Sequence, residues 1–336
     1  MAGDATRPGL AATPLAVIPL RHEIVANVSE GRDPALLERL ADAIGSVPGA
    51  VLLDRHADVD HDRCVLTYVG DDVALVGATI ALARVAMASI DLRAPGKHGA
   101  AAGVHPRIGA LDVVPVVPIG PDATIESAAA LARTIAGRLG ELGLSVHRYA
   151  AIARSAERRS LPNIRRGGFE GLVAAQATAA GAPDDGPALP HERAGAVAVG
   201  ARPAMVAWNV ELAGAPLPAQ LRAARAIAAS IRGSAPGGVA GLQALGFPLA
   251  SRGCAQVSMN LHEAAAAAKR GDTLHAIRAR IGALAARHGV RIGETEIVGL
   301  LPEALLAAGG EAAALAIRGG WERASLERRA AAAGRR

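Results

Sequence analysis

The chain has 336 residues, of which 51% are hydrophobic, 20% charged and only 2% aromatic, and its formal net charge is +5. That length supports a sizeable core and two domains or subdomains, while so few rings cannot build an aromatic stacking surface for single-stranded nucleic acid. The basic excess is partly terminal: Arg318, Arg323, Arg328, Arg329, Arg335 and Arg336 crowd the last stretch, which reads as a solvated basic tail.

In chain order, residues 1–22 read as a disordered leader. Its Pro-broken apolar patch, preceded by Arg7 alone, lacks the regions of a secretory signal. Residues 23–28 alternate as a first strand. Asp33 then caps a helix that has Pro34 in its first turn and runs to about residue 47. Strands are predicted at 50–54 and 64–69, on either side of a charged loop at 58–63. Apolar spacing of three and four predicts a helix over 71–91. Arg84 interrupts its apolar run, so it reads as a buried-face helix and no membrane span is expected. A glycine-rich run, 96–103, leads into Val104-His105-Pro106-Arg107-Ile108-Gly109-Ala110-Leu111-Asp112 and a strand at 113–119. A helix at 124–142 and a strand at 146–149 follow.

Residues 178–195 are rich in Gly, Pro, Ala and Asp and read as a loop or linker, with Gly200-Ala201 as the candidate boundary. The second half reads as strand 205–212, helix 217–231, strands 239–247 and 255–261, and a mostly helical stretch over 263–288. A short strand within 289–300 and final helices from 302 complete it. Strands and helices alternate in both halves, giving a mixed α/β (α+β) class built of strand-helix-strand units, with no sequence repeat between the halves.

Several chemistries lose support. Asp58-Val59-Asp60-His61-Asp62 starts like a calcium loop, but Arg63 stands where the turn needs glycine. His98 and His105 are too loosely spaced for a zinc pair without nearby thiols, and no metal site is expected. Phosphate-loop, Rossmann and nucleophile-elbow signatures are missing. Cys64 and Cys254 have no metal or redox spacing and read as free thiols, which points to a reducing, cytoplasmic compartment. What remains is His105, held at a strand entry beside Pro106 and the fixed charge of Arg107, an arrangement suited to proton transfer near an anionic ligand.

Seven segments in order resemble the formimidoyltransferase family, which acts on N-formimino-L-glutamate and tetrahydrofolate. They are Asn27-Val28-Ser29-Glu30-Gly31-Arg32; Asp60-His61-Asp62-Arg63 with Leu66-Thr67-Tyr68-Val69-Gly70; His105 to Val113; Arg158 to Arg165; Asp185 to Gly195 with Gly200-Ala201-Arg202 and Trp208-Asn209-Val210; Gln256 to Leu261; and Glu296 to Pro302. The resemblance covers about residues 23–308. It implies an N-terminal subdomain at 23–201 and a C-terminal subdomain at 202–336, with ferredoxin-like units whose mixed sheets face each other around a substrate tunnel. It also implies a homodimer, and a stand-alone form without the fused cyclodeaminase domain.

The implied reaction moves the formimino group to N5 of tetrahydrofolate, a co-substrate, with no metal, in histidine breakdown. The partners are small molecules; neither nucleic acid nor a membrane is expected. His105 occupies the catalytic position, where a group titrating near neutrality both takes and returns the proton. Arg107, on the same side as His105 if the strand alternates, either binds a substrate carboxylate or pairs with Asp112 or another buried acid. Asn27 and Glu30 either orient the pterin or cap their loop. Gly186, Pro187, Ala188, Leu189, Pro190, His191, Glu192, Arg193, Ala194 and Gly195 form the folate-binding loop, and Arg165 and Arg202 are further carboxylate candidates. The chain departs from the family pattern at Val104, where an acid is usual, at Asp62, where asparagine is, and at Asp185, where an aromatic is. Its loop at 94–103 is also longer. These departures keep two alternatives open: a related transferase using N-formylglutamate, and a non-catalytic folate-binding homologue.

Overall fold

The computed structural model describes residues 21–94, 96–97 and 106–334. The first half forms β1 (His22–Val28), α1 (Pro34–Gly45), β2 (Val51–Asp58), β3 (Arg63–Gly70), α2 (Asp72–Ser89), β4 (Leu111–Pro118), α3 (Ile125–Glu141), β5 (Ser145–Ala150), α4 (Leu161–Ile164), α5 (Gly168–Gln176) and β6 (Ala196–Ala201). The second forms β7 (Val206–Ala213), α6 (Leu217–Ile231), β8 (Leu242–Leu249), β9 (Cys254–Leu261), α7 (Ala264–Lys269), α8 (Leu274–Arg287), β10 (Arg291–Val298), α9 (Glu303–Ala307), α10 (Trp321–Ala324) and α11 (Leu326–Ala333).

The first sheet has the order β2-β3-β1-β4-β6-β5; its first three pairings are antiparallel and the last two parallel. The second has the order β10-β7-β9-β8 and is antiparallel throughout. Each contains one βαββαβ unit in which the first and third strands lie centrally, the ferredoxin-like arrangement. The halves thus repeat in topology, although no repeat shows in their sequences.

Strand alternation sorts each sheet into two faces. Ile24, Ala26 and Val28 of β1 and Cys64, Leu66 and Tyr68 of β3 point into the core formed with α1, α2 and α3. Val25, Asn27, Val65 and Thr67 take the opposite face. Trp208, Val210, Val257 and Met259 similarly pack on α6 and α8, leaving Asn209, Gln256 and Ser258 on the other side. The two outer faces meet. Ser251 Oγ donates to Asp60 Oδ2 at 2.6 Å, His56 Nε2 lies 3.6 Å from Glu296 Oε1, and the His61 and Phe247 rings stand edge to face at 5.9 Å. α11 closes one side, where Arg329 Nε donates to Leu53 O at 2.7 Å. α4 and α5 cover the same face of β4, β5 and β6 through Leu161, Ile164 and Leu172.

Local signals hold where they are strong. The Asp33 side chain accepts from Ala35 N and Leu36 N at 2.9 and 3.1 Å with Pro34 in the first turn, a cap worth about 1 kcal/mol. α2 is long and apolar enough to span a membrane, yet Leu75 and Leu82 are fully buried against the sheet, each contributing roughly 1.5–3 kcal/mol, and Thr79 bonds Tyr68 at 2.7 Å.

Four expectations need correction. The leader cannot extend through residue 22: His22 already belongs to β1, where its buried ring bonds Asp72 and Ser127. Residues 196–201, for which no strand is predicted between the 178–195 loop and the Gly200-Ala201 boundary, form a buried parallel strand between β4 and β5 that ends at Ala201. The helix expected over 263–288 breaks at Gly271, whose φ of +90° no helix accommodates, and Thr273 caps a new helix. β4 begins at Leu111, so Arg107 lies in the loop before it and strand alternation does not set its direction.

Candidate functional site

Three segments converge where β1 ends and β4 begins. The first is the Ser29–Asp33 turn. Gly31 is required there, since a Cβ would lie 2.2 Å from Asp58 O and 2.7 Å from Arg63 N. Glu30 caps this turn: its Oε1 accepts from Arg32 N at 2.7 Å and Asp33 N at 2.9 Å, and its Oε2 from Lys97 Nζ at 2.9 Å. Burial pushes the Glu30 carboxyl up, but Lys97 and the two backbone donors outweigh it and the net shift is downward. Of its two open roles, capping is the one its oxygens perform.

The second segment is the β2–β3 connection. Asp62 adopts φ +46°, a left-handed conformation that Asp and Asn tolerate best after glycine. Its fully buried carboxylate accepts from Gly31 N at 3.1 Å and from Lys97 Nζ at 2.9 and 2.8 Å. An asparagine here would present only one acceptor oxygen and no charge to Lys97. Arg107 Nη1 lies 3.6 Å from Asp62 Oδ2, so its acid partner is Asp62, while Asp112 pairs with Arg165. Asp112 Oδ1 also accepts from Ile108 N at 2.8 Å and so fixes the start of the Pro106–Ala110 segment.

The third segment is the 186–195 loop. Gly186, with φ +78°, passes so close to Leu144 O that a Cβ would sit 2.0 Å from it. Ser145 Oγ is within hydrogen-bond reach of Pro187 O at 2.7 Å and Leu189 O at 2.8 Å. His191 and Gly195 exchange backbone bonds at 2.9 and 2.8 Å, closing a tight turn. The His191 ring caps this turn: Nδ1 accepts from Arg193 N at 3.2 Å and Ala194 N at 3.0 Å. Glu192 pairs with Arg93, and Arg193 Nε with Asp91 Oδ2 at 3.1 Å. Ala110 N donates to Ala194 O at 2.8 Å and Ala196 N to Ile108 O at 2.9 Å, so the loop docks edge-on against the segment entering β4. Pro187, Ala188 and Leu189 stay exposed, and Pro190 is half-buried.

The structure therefore joins Glu30, Arg107 and the 186–195 loop around one end of the first sheet. Asn27 stands within the cleft between the sheets, its Nδ2 donating to Val25 O at 3.1 Å. His105 lies outside the described residues. Arg202 is elsewhere, at the far end of β6 beside Glu23, Tyr149 and His262. An open groove of about 480 Å³ along β8, lined in part by Gln243, Leu245 and His262, contains none of the residues singled out in the sequence. Lys97 and Glu23 were missed: a lysine in a glycine-rich run and a glutamate in an apolar strand give no local signal of their partners.

Glu23 is 4% exposed, its Oε2 has no partner among the described residues, and burial pushes its pKa up to about 7 against the pull of Arg202. Between pH 4.5 and 7 the folded state holds a proton that the unfolded chain has released, so this group lowers stability as pH rises through that window. Glu23→Gln is expected to gain on the parent chain by up to about 3 kcal/mol between pH 4.5 and pH 8. Paired thermal melts at the two pH values check this; a constant Tm difference would show that Glu23 titrates normally.

Comparison with known proteins gives the same grouping of segments. The model of the formiminotransferase domain, N-terminal subdomain, matches residues 21–202, and that of the formiminotransferase domain matches 207–313. A glutamate formimidoyltransferase of Streptococcus pyogenes is 37% identical over 83% of this chain and 88% of its own length. One from Thermoplasma acidophilum is 37% identical over 84% and 89%. A formimidoyltransferase-cyclodeaminase of Gallus gallus is 34% identical over 84% of this chain but 50% of its own, longer sequence. With the matches running through both sheets and all three converging segments, the chain belongs to the formiminotransferase domain family.

Proposed function

We propose that the chain transfers the formimino group of N-formimino-L-glutamate to N5 of tetrahydrofolate, yielding 5-formiminotetrahydrofolate and L-glutamate, as a step of histidine degradation. The observation that carries this is the near full-length similarity to two glutamate formimidoyltransferases. N5 attacks the formimino carbon to form a tetrahedral intermediate; the carbon–nitrogen bond to glutamate then breaks. N5 loses one proton and the departing amine gains one, so a single group that accepts and returns a proton balances the step. His105 is that group in our reading. Tetrahydrofolate is the co-substrate, no metal takes part, and the 186–195 loop presents its backbone and exposed apolar tip to the folate.

Two departures from the family pattern now have structural partners. Asp62 is matched by Lys97, and Asp185 by Arg148, whose Nε and Nη2 donate to it at 2.8 and 2.5 Å. They serve ion pairs of this chain, so neither departure calls for a donor other than formiminoglutamate. The test is release of L-glutamate from each donor by purified protein with tetrahydrofolate present or absent. Folate-dependent release from formiminoglutamate is expected. Preference for the formyl donor, or folate binding without turnover of either donor, would overturn the reading. We further place the protein in the cytoplasm as a homodimer. Sedimentation at the 33.8 kDa mass of one chain would refute the dimer, and recovery outside the cytoplasmic fraction would refute the location.

A further inference from the structure

Three guanidinium groups share one neighbourhood with too few carboxylates. Arg63 opens β3 on the face turned toward the second sheet. Protein surrounds it, and burial together with the nearby Arg165 holds its pKa down at about 10, yet the side chain keeps partial solvent contact and makes no hydrogen bond or ion pair among the described residues. Arg165 bonds Asp112 through Nη2 while its buried Nε has no partner, and Arg107 leaves its buried Nη2 unpartnered in the same way. Asp112 acts on all three arginines but pairs with Arg165 alone.

Asp58 also acts on Arg63 and Glu170 on Arg107, but neither forms an ion pair with them among the described residues, and Asp58 is engaged with His61 and the backbone of Asp60 and His61. Asp62 is shared among Lys97, Gly31 N and Arg107. Across the cleft, Glu211 is held by Arg252 and Arg318 at 2.6 and 2.7 Å, and Glu296 accepts from Asn209 at 3.2 Å and from Arg252 at 3.4 Å. Buried cationic donors without partners are costly unless an anion completes them. The guanidinium fork matches a carboxylate with two parallel bonds.

We propose that Arg63, Arg107 and Arg165 form a carboxylate-binding subsite for a glutamyl group, and that Arg63 is the specificity-determining contact to the one-carbon donor. The assignment to the donor rests on the transferase reading above. Both substrates carry a glutamyl group, but they place it differently. In formiminoglutamate the α-carboxylate is three bonds from the reacting carbon. In the folate the p-aminobenzoyl group separates the glutamyl tail from N5. Arg107 follows His105 by two residues, so their Cα atoms are at most about 7 Å apart, a separation that suits the donor's carboxylate, three bonds from the reacting carbon, better than the more distant folate tail.

The experiment uses the full chain and Arg63→Gln, with Arg63→Lys as a second variant. Arg63→Gln is expected to raise KM for formiminoglutamate roughly 10- to 100-fold while KM for tetrahydrofolate moves less than about twofold; Arg63→Lys recovers part of the loss. L-Glutamate alone is expected to raise the Tm of the parent chain and not of Arg63→Gln. The variant itself should melt no lower than the parent, because it removes an uncompensated cation rather than a bond. A rise in the folate KM with the donor KM unchanged would assign the subsite to the folate tail and overturn the proposal. So would a loss of Tm without ligand, which marks a structural arginine. If no glutamate is released from any donor, the transferase reading fails; a Tm response to L-glutamate that Arg63→Gln abolishes would still establish the subsite.

Discussion

His105→Ala is expected to lower kcat for formimino transfer by about two to four orders of magnitude, the usual contribution of a positioned general acid–base group. The expectation follows from the proton balance. N5 must shed a proton as the tetrahedral intermediate forms, and glutamate is a poor leaving group until its nitrogen is protonated. Removing the shuttle slows both half-steps but leaves both binding surfaces intact. The loss should therefore fall on kcat with little change in either KM. Added imidazole should restore part of the rate, a response that loss of fold cannot mimic; near-parental turnover in His105→Ala would remove the histidine from the mechanism. The surroundings of the segment are ready for such a role. Pro106 limits backbone freedom after the histidine, and Asp112 and Ala194 hold the backbone that follows through Ile108 N and Ala110 N.

How much of this was legible in the sequence depends on the range of the interaction that decides it. The Asp33-Pro34 cap, the helix at Leu217–Ile231 and the alternation of β1 are set by residues within a few positions, and periodicity reads them directly. β6 was missed because its small residues Ala196, Ala198 and Gly200 look like loop composition. They become a strand only by pairing with Val113–Val116 and Ser145–Ala150. Gly200 is small because the Tyr149 ring sits where its Cβ would be, 2.5 Å away. The candidate site divides in the same way. Its chemistry was visible through the ordered motifs, but its electrostatics were not. Lys97 meets Glu30 and Asp62 across 67 and 35 positions, and Arg165 meets Asp112 across 53, separations at which no spacing rule operates. The strand alternation assumed for Arg107 failed for a related reason: the loop runs on to Ala110, and tertiary contacts with the 186–195 loop set where β4 begins.

Asp112→Ala is expected to be the most destabilising of these substitutions, costing about 3–5 kcal/mol, the range for removing one partner of a buried ion pair. Asp112 is 3% exposed and supplies two things at once. It is the only ion-pair partner recorded for Arg165 among the described residues, and it accepts the Ile108 N–H that starts the turn into β4. With alanine there, Arg63, Arg107 and Arg165 would face one another without the acid that acts on all three. Repulsion then adds to desolvation. Denaturant unfolding measures the loss, and Arg165→Ala in the same background separates its causes. If the cost is the stranded cation, the second substitution recovers part of the stability lost in the first; a double-mutant cycle reports that coupling directly. Asp112→Asn, which can still accept from Ile108 N but carries no charge, should fall between parent and alanine. A loss under about 1 kcal/mol in Asp112→Ala would mean that Arg165 swings out to solvent and that the three arginines do not constrain one another. An anion filling the subsite should in turn reduce the penalty: L-glutamate is expected to stabilise Asp112→Ala more than the parent chain, because it replaces the negative charge that the substitution removes.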